Sequence, residues 1–364
     1  AVNSRLMQIT GWSNDPVADP PAEWFLLQDR RTRQVWSVAP SAWGADGVVY
    51  QVSHGQGIST IRHRHLDVDV TASWCVDPLT STKQVRLQLV NRGSSTAHLR
   101  LVGIAEWIMG SRRGDRATAH TASHAAPGRM TLSCTQSERS TNFGGATGYL
   151  SVGLDAGEQA EWTCDRRELL DSHGALQLPQ QLGQNAGAGL DPCAALALRI
   201  HIRPGETAQR VFLLGYGADP AAALRSADTD GAVDAHQRAA SVRAAWDTIL
   251  GAVQVSTPDP LFDVMVNRWL LYQNVACRMW AKAGFYQAGG ATGFRDQLQD
   301  AMAMTWAAPQ MLPQQILTAA ARQFPQGDVQ HWWHAPDGAG VRTRFSDDLL
   351  WLPFACLHHL LSSG

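Results

Sequence analysis

Val68-Asp69-Val70-Thr71-Ala72-Ser73-Trp74-Cys75-Val76 alternates residue by residue. Val68, Val70, Ala72, Trp74 and Val76 fall on one side; Asp69, Thr71, Ser73 and Cys75 fall on the other. A period of two marks a strand with one face toward a core. The pattern recurs outward. Val85, Leu87 and Leu89 run to an Asn91-Arg92-Gly93 turn, and Leu99 and Leu101 return toward Trp107. Leu196, Leu198, Ile200 and Ile202 alternate into Pro204-Gly205, and Val211 and Leu213 come back. From Arg5 to Gly217, turn residues break the pattern roughly every 8–12 positions, the spacing of an antiparallel all-β unit. These hairpins predict a large two-sheet sandwich. Thr118 to Gly189 is richer in Gly, Ser and Ala and weakly periodic, so long loops are expected there. His63 and His65 alternate on a strand and read as surface residues.

The period then changes. Asp219-Pro220 supplies the N-cap and first residue of a short helix. Gly231 to Gly251 reads as a longer one, striped by Val242, Trp246, Ile249 and Leu250. It carries no obvious chemistry and is expected to act as a linker packed on the sandwich. After Thr257-Pro258-Asp259-Pro260 everything reads as helical. Asp259 caps a helix through Ala281 with apolar Leu261, Val264, Met265, Trp269, Tyr272 and Val275. Further helices are expected over Phe294 to Pro309, Pro313 to Phe324, and Ser346 to the terminus. Loops rich in functional side chains, Gly284 to Gly293 and Gln326 to Arg344, lie between them. The expected organisation is a β-sandwich over 1–218, a helical linker over 219–256, and helix hairpins over 257–364. The last helix runs into Leu361-Ser362-Ser363-Gly364 and no initiating methionine opens the chain, so an internal fragment of a larger protein is expected.

Composition excludes several function classes. The 364 residues suffice for two or three domains with sizeable cores. Thirty basic residues against 32 acidic ones leave a net charge of −2, with no basic field for nucleic acid or for an anionic membrane. No stretch approaches the ~20 apolar residues of a membrane span, and the start lacks a signal-peptide core. The chain is therefore expected to be soluble, on the cytoplasmic side. Six scattered cysteines, none at metal or redox spacing, predict buried free thiols in a reducing compartment. Fourteen tryptophans against five tyrosines lean toward carbohydrate, because flat indole faces suit pyranose rings, although most will be core.

One run concentrates chemistry: Gly289-Gly290-Ala291-Thr292-Gly293-Phe294-Arg295-Asp296-Gln297-Leu298-Gln299-Asp300. A glycine-rich turn allows close backbone approach, and a helix places Asp296 and Asp300 on one face. Arg295 adds a planar donor fork. Donors and acceptors together suit an uncharged ligand dense in hydroxyls. The plainer reading, a helix N-terminus whose acids the macrodipole favours, stands beside it. The loop is not a dinucleotide fingerprint, since it is expected to follow a helix. His331 and His334 flank Trp332 and Trp333 at a spacing that suits a shared metal, but a third ligand is missing. A carbohydrate cleft lined by the indoles, or a structural plug, are the other readings. Asp347 and Asp348, after Ser346 as N-cap, have a complete structural account as well as a sugar-binding one.

Five segments carry a family resemblance: Asn267-Arg268-Trp269-Leu270-Leu271-Tyr272-Gln273, Gly284-Phe285-Tyr286-Gln287, Gly293 to Asp300, Gly327-Asp328-Val329-Gln330-His331-Trp332-Trp333-His334, and Arg342-Thr343-Arg344-Phe345-Ser346-Asp347-Asp348-Leu349-Leu350-Trp351-Leu352-Pro353. Together they resemble the C-terminal phosphorylase-like region of cyclic β-1,2-glucan synthases, grouped with the cellobiose and chitobiose phosphorylases. The likeness is most specific over Thr257 to Phe354 and looser before it. It implies a multidomain fold, a large antiparallel β-sandwich, helical linker and (α/α) six-hairpin barrel, with 257–364 the N-terminal part of that barrel. It also implies cleavage or synthesis of β-glucosidic bonds with inorganic phosphate and inversion, using one protein general acid. Arg295 and Asp300 match the positions that hold the transferred sugar. With them, Asp296, Gln299, Tyr286, Gln287, Trp332, Trp333, Asp347 and Asp348 are the expected substrate-binding residues.

One departure limits the activity expected. The family's general acid stands in a Trp-Asn-Asp motif, which this chain lacks; Trp12-Ser13-Asn14-Asp15 lies in the sandwich. No catalytic residue is therefore expected within the chain, which taken alone should be inactive. No metal and no cofactor are expected, inorganic phosphate being the parent's co-substrate. Expected partners are a β-glucan or oligosaccharide, the other domains of the parent and, as an open option, a second protomer in a homodimer, but no nucleic acid. The parent is either an inner-membrane synthase or a free phosphorylase. The alternative function is a non-catalytic carbohydrate-binding or scaffolding module.

Overall fold

A computed structural model describes residues 3–4, 7–11, 21–41, 47–110, 113–138, 144–281, 291–334 and 338–364. Trp12-Ser13-Asn14-Asp15, Tyr286 and Gln287 lie outside the described residues. Two compact units emerge, one ending at Arg243 and one running from Ala244 to Gly364.

The first unit is a β-sandwich. Its seven-stranded sheet runs β1 (Asn3–Ser4), β2 (Met7–Thr10), β9 (Ala97–Gly110), β14 (Pro192–Ile202), β13 (Glu161–Asp165), with β3 (Glu23–Asp29) also on β9 and β4 (Val35–Ser37) on β3. The eight-stranded sheet runs β10 (Ala119–Ala126), β11 (Arg129–Gln136), β12 (Thr147–Gly153), β15 (Thr207–Gly217), β8 (Lys83–Asn91), β7 (Val68–Val76), β6 (Ile58–His65), β5 (Gln51–Gly55). All pairings are antiparallel. Apolar positions of both sheets, among them Phe25, Trp36, Val70, Leu87, Trp107 and Phe212, form one core. A second cluster around Trp24, Val102, Leu169 and Leu182 covers the other face of β9. That strand is therefore buried on both sides and cannot alternate.

Two expectations fail here. The region from Thr118 to Gly189 is not mainly loop: β10, β11, β12 and β13 lie in it. Small hydroxyl residues fill buried positions there by bonding across strands, Thr131 to Ser151 over 2.8 Å and Thr135 to Thr147 over 2.9 Å. Such pairs satisfy a strand without an apolar signature. His63 is also not a surface residue. Its register with Val70 puts it on the core face, where its Nε2 accepts from Trp36 Nε1 at 3.1 Å.

Helix α1 (Pro220–Gly231) begins as predicted, the Asp219 carboxylate accepting from Ala222 N at 2.7 Å. Its Ala223 and Ala227 pack on Tyr149 and Leu213. Helix α2 (Ala235–Leu250) starts four residues later than expected, after Asp234 accepts from His236 N and Gln237 N. Its Val242, Trp246 and Leu250 are buried as the stripe predicts.

The second unit is mainly helical but not wholly so. Helix α3 (residues 260–280) is capped by Asp259 and includes π-helical turns at Met265–Trp269 and Asn274–Trp280. Wider turns carry a 3.6-residue stripe off one face. Of the residues expected to form it, Val275 is buried and Trp269, at the end of the first π-helical turn, is 50% exposed; Leu261, in the α-helical segment before it, is also exposed at 76%. Helices α4 (Phe294–Met302) and α5 (Met311–Ala320) end earlier than predicted. Helix α6 (Asp348–Ser363) starts at Asp348, with Asp347 rather than Ser346 in the N-cap position and no side-chain cap. The all-helical reading is corrected by a small antiparallel sheet of β16 (Ala291–Gly293), β17 (Gln330–His334) and β18 (Gly340–Arg342). The end of the glycine-rich stretch leading into α4 is thus a short strand rather than a plain turn. The unit's core gathers Phe294, Leu298, Leu312, Val329, Trp333 and Ala355.

All six cysteines are free; Cys75, Cys134, Cys164 and Cys193 are buried and Cys277 and Cys356 partly so. Among the described residues, no helix is long and apolar enough to cross a membrane.

Candidate functional site

The candidate residues converge on the first turns of α4 and α6. Gly293 closes β16 and opens α4, its N–H bonded to the Gln297 side chain. A Cβ on Gly293 would lie 3.0 Å from Asp296 Oδ2, so the glycine also makes room for that carboxylate. Arg295 then projects half-exposed and donates through Nη1 to Asp347 Oδ2 at 2.7 Å. Trp351, one turn into α6, donates to the same oxygen at 3.3 Å. These two bonds, Arg295 first, hold the Asp347 carboxyl below its ordinary range. Asp347 in turn raises the Arg295 guanidinium.

Asp296 and Asp300 share a face, as their spacing predicts, and Arg278 of α3 bridges them. Its Nε lies 3.1 Å from Asp300 Oδ2, and its Nη2 lies 3.9 Å from Asp296 Oδ2. Asp300 is 17% exposed, and burial pushes its carboxyl above the usual aspartate value against the pull of Arg278. Asp296 also approaches Arg295 Nε, at 3.9 Å. The result is a run of alternating charge: Arg278, the Asp300 and Asp296 pair, Arg295, Asp347. Arg295 and Asp300 do not pair directly; each has another partner. Gln299 is exposed on α4.

The remaining candidates divide. Asp348 is buried and takes Nδ1 of His331 at 2.8 Å on Oδ2. Trp333 is only 2% exposed and sits under the Arg322 guanidinium, 5.2 Å from its ring centroid, so its face is already covered. Trp332 is half-buried against His334. A cavity of about 370 Å³ is lined by Asp328, Arg342, Thr343, Arg344, Phe345 and Leu349, among others. Arg342 is held there by both oxygens of Asp328 at 2.6 Å. Arg295 and Asp300 do not line this cavity, but its Phe345 ring lies 4.8 Å from His331.

Sequence reasoning missed Arg278 and Trp351. Trp351 stands four residues after Asp347 on a helix, a legible pairing. Arg278 lies 22 residues before Asp300 on another helix, and no local spacing reveals it.

Against protein-family models, residues 1–231 match the glycosyl hydrolase 94 supersandwich domain, and residues 245–358 match the glycosyl hydrolase 94 superfamily catalytic domain. The chain belongs to glycosyl hydrolase family 94. Among family 94 relatives, the cyclic β-(1,2)-glucan synthase NdvB of Rhizobium meliloti (strain 1021) is 36% identical over 371 residues, covering 100% of this chain and 13% of that protein. N,N'-diacetylchitobiose phosphorylase of Vibrio furnissii is 23% identical, covering 98% of this chain and 49% of its own length. This family 94 chain thus spans half or less of the curated relatives it matches. A bacterial glucoamylase complexed with acarbose shares the fold at TM-score 0.60 and 12% identity, over 93% of this chain and 50% of that one.

Proposed function

We propose that the helical unit holds one glucosyl residue of a β-glucan, and that the complete protein transfers it between glucan and inorganic phosphate with inversion. The observation that carries this is the charge run from Arg278 to Asp347, solvent-facing at Arg295 and half-buried at Asp300. A guanidinium only donates and a carboxylate only accepts, so the two flank a hydroxyl that does both. A β-1,2-linked glucan is the substrate favoured, by the name of the 36% identical relative.

In the transfer, a phosphate oxygen attacks the anomeric carbon as the bond to the leaving sugar oxygen breaks. One carboxylic acid protonates that oxygen. The side chains described here orient the ring rather than supply the proton. No Trp-Asn-Asp motif occurs in the sequence, so the chain alone is read as binding sugar without turning it over. Calorimetry with β-1,2-glucooligosaccharides tests the binding. Loss in both R295A and D300A supports the site; retention unchanged in both would point instead to a carbohydrate-binding or scaffolding module. For the complete protein, α-glucose 1-phosphate should be released only when phosphate is supplied.

A further inference from the structure

We propose that Asp348 is a positioning residue acting through His331, and that His331 presents Nε2 as a hydrogen-bond acceptor to a sugar hydroxyl beside the Arg295–Asp347 pair. The inference rests on the sugar-binding reading above and adds a group to it.

Asp348 is 2% exposed, so its carboxylate does not face a ligand. Its Oδ2 lies 2.8 Å from His331 Nδ1. A carboxylate only accepts, so that contact places a proton on Nδ1, and in the neutral imidazole the lone pair then lies on Nε2. No hydrogen bond engages Nε2 among the described residues, and the His331 side chain is 33% exposed. The Phe345 ring at 4.8 Å supports one side of the imidazole, which fixes its plane.

The neighbourhood gives this acceptor a use. Asp348 follows Asp347, the residue that holds Arg295, and its charge also acts on Arg295. The site therefore offers donors from Arg295 and, in the Nδ1–H form of the ring, an acceptor from His331. A hydroxyl satisfies both. A phosphate oxygen does not, because a lone pair facing an anion repels it. The ligand chemistry is accordingly that of a polyol.

Imidazole ¹⁵N NMR of the purified chain near neutral pH reads the tautomer directly. The expected result is the Nδ1–H form at His331, kept in D348N, whose amide oxygen can still accept, and lost in D348A, which has no acceptor to hold it. An Nε2–H tautomer, or an imidazolium protonated on both nitrogens, in the unsubstituted chain would overturn the proposal. For binding, H331N keeps a donor toward Asp348 but lacks the ligand-facing nitrogen, whereas H331Q reaches that place with Oε1. Expected are at least tenfold weaker binding of β-1,2-glucooligosaccharides by H331N, partial recovery in H331Q and an unchanged Tm. If H331N binds normally while R295A does not, this inference fails and the sugar-binding reading stands. If neither substitution matters, or the unsubstituted chain binds no sugar, both fail.

Discussion

The indole N–H of Trp36 on β4 donates to Nε2 of His63 on β6 over 3.1 Å, tying one sheet of the sandwich to the other. Burial, with the neighbouring His65, depresses the His63 pKa to about 4. Protonation would turn Nε2 into a donor facing a donor. Because the folded chain resists a proton that the unfolded chain accepts, stability is full above the ordinary histidine value. It falls as pH drops from there through about 4. The loss expected by pH 4 is about 2–3 kcal/mol. H63Q keeps an acceptor for Trp36 and cannot titrate. Its urea midpoint should exceed that of the unsubstituted chain at pH 4.5, but not at pH 7.5. Parallel pH profiles for the two proteins would refute the claim.

Much of this architecture was readable because burial on one face imposes a period. Val68, Val70 and Ala72 are buried as the alternation requires, although at the strand's end Cys75 is buried and Val76 exposed, and the Asp219 and Asp259 caps sit where the sequence put them. The failures share a cause. Strands β11 and β12 bury Thr and Ser pairs on the face opposite Met130, Leu132, Leu150 and Val152, and β9 is covered on both faces, so none of them shows a plain alternation of exposure. On α3, π-helical turns move residues off the stripe that a 3.6 period lays down. The site followed the same rule. Asp296 with Asp300 was visible as a helical pair, whereas the contacts of Arg278 with Asp300, of Asp347 with Arg295 and of His331 with Asp348 arise only through tertiary packing.

Arg238 on α2 is fully buried and donates to Asp77 Oδ2 at 3.0 Å, Gln84 Oε1 at 3.0 Å and the Asp230 carbonyl at 2.6 Å. Its Nη2 also lies 3.8 Å from Asp230 Oδ1, so removing it takes the nearby counter-charge from two buried carboxylates, Asp77 and Asp230, which keep only their neutral hydrogen-bond donors. R238A should lower stability by about 3–5 kcal/mol. R238K should recover little, since one ammonium cannot match a planar fork. Equilibrium urea unfolding measures both, and a loss under about 1 kcal/mol in R238A would contradict this account.

Gly103 on β9 lets the Phe212 ring lie against bare backbone; a Cβ there would stand 2.7 Å from Phe212 Cε1. Phe212 also meets Phe25 edge-on, with centroids 5.2 Å apart, so it has little freedom to retreat. G103A should therefore cost about 1–3 kcal/mol through overpacking. Adding F212L relieves the contact, and the two changes should combine to less than the sum of their separate costs. Additive effects in the thermal unfolding of the double mutant would show that the glycine serves another purpose.

At Asp300 the chain carries a carboxylate where burial disfavours it, and Arg278 offsets only part of that penalty. The folded state holds this proton more tightly than the unfolded state does. Asp300 thus costs nothing below the ordinary aspartate pKa, and it lowers stability as pH rises through the raised value. Asn at this position accepts from Arg278 without a charge. Relative to the unsubstituted chain, the Tm of D300N should therefore improve steadily between pH 3 and pH 6.5. Sugar binding by D300N should weaken over the same range, because a neutral amide holds a hydroxyl less firmly than a carboxylate. Carboxyl ¹³C NMR adds an independent check. In R278A, where the attraction is gone and burial is unopposed, the Asp300 resonance should titrate at still higher pH. A shift to lower pH would mean that solvent enters when Arg278 leaves, and that the carboxylate is kept dry only by its partner.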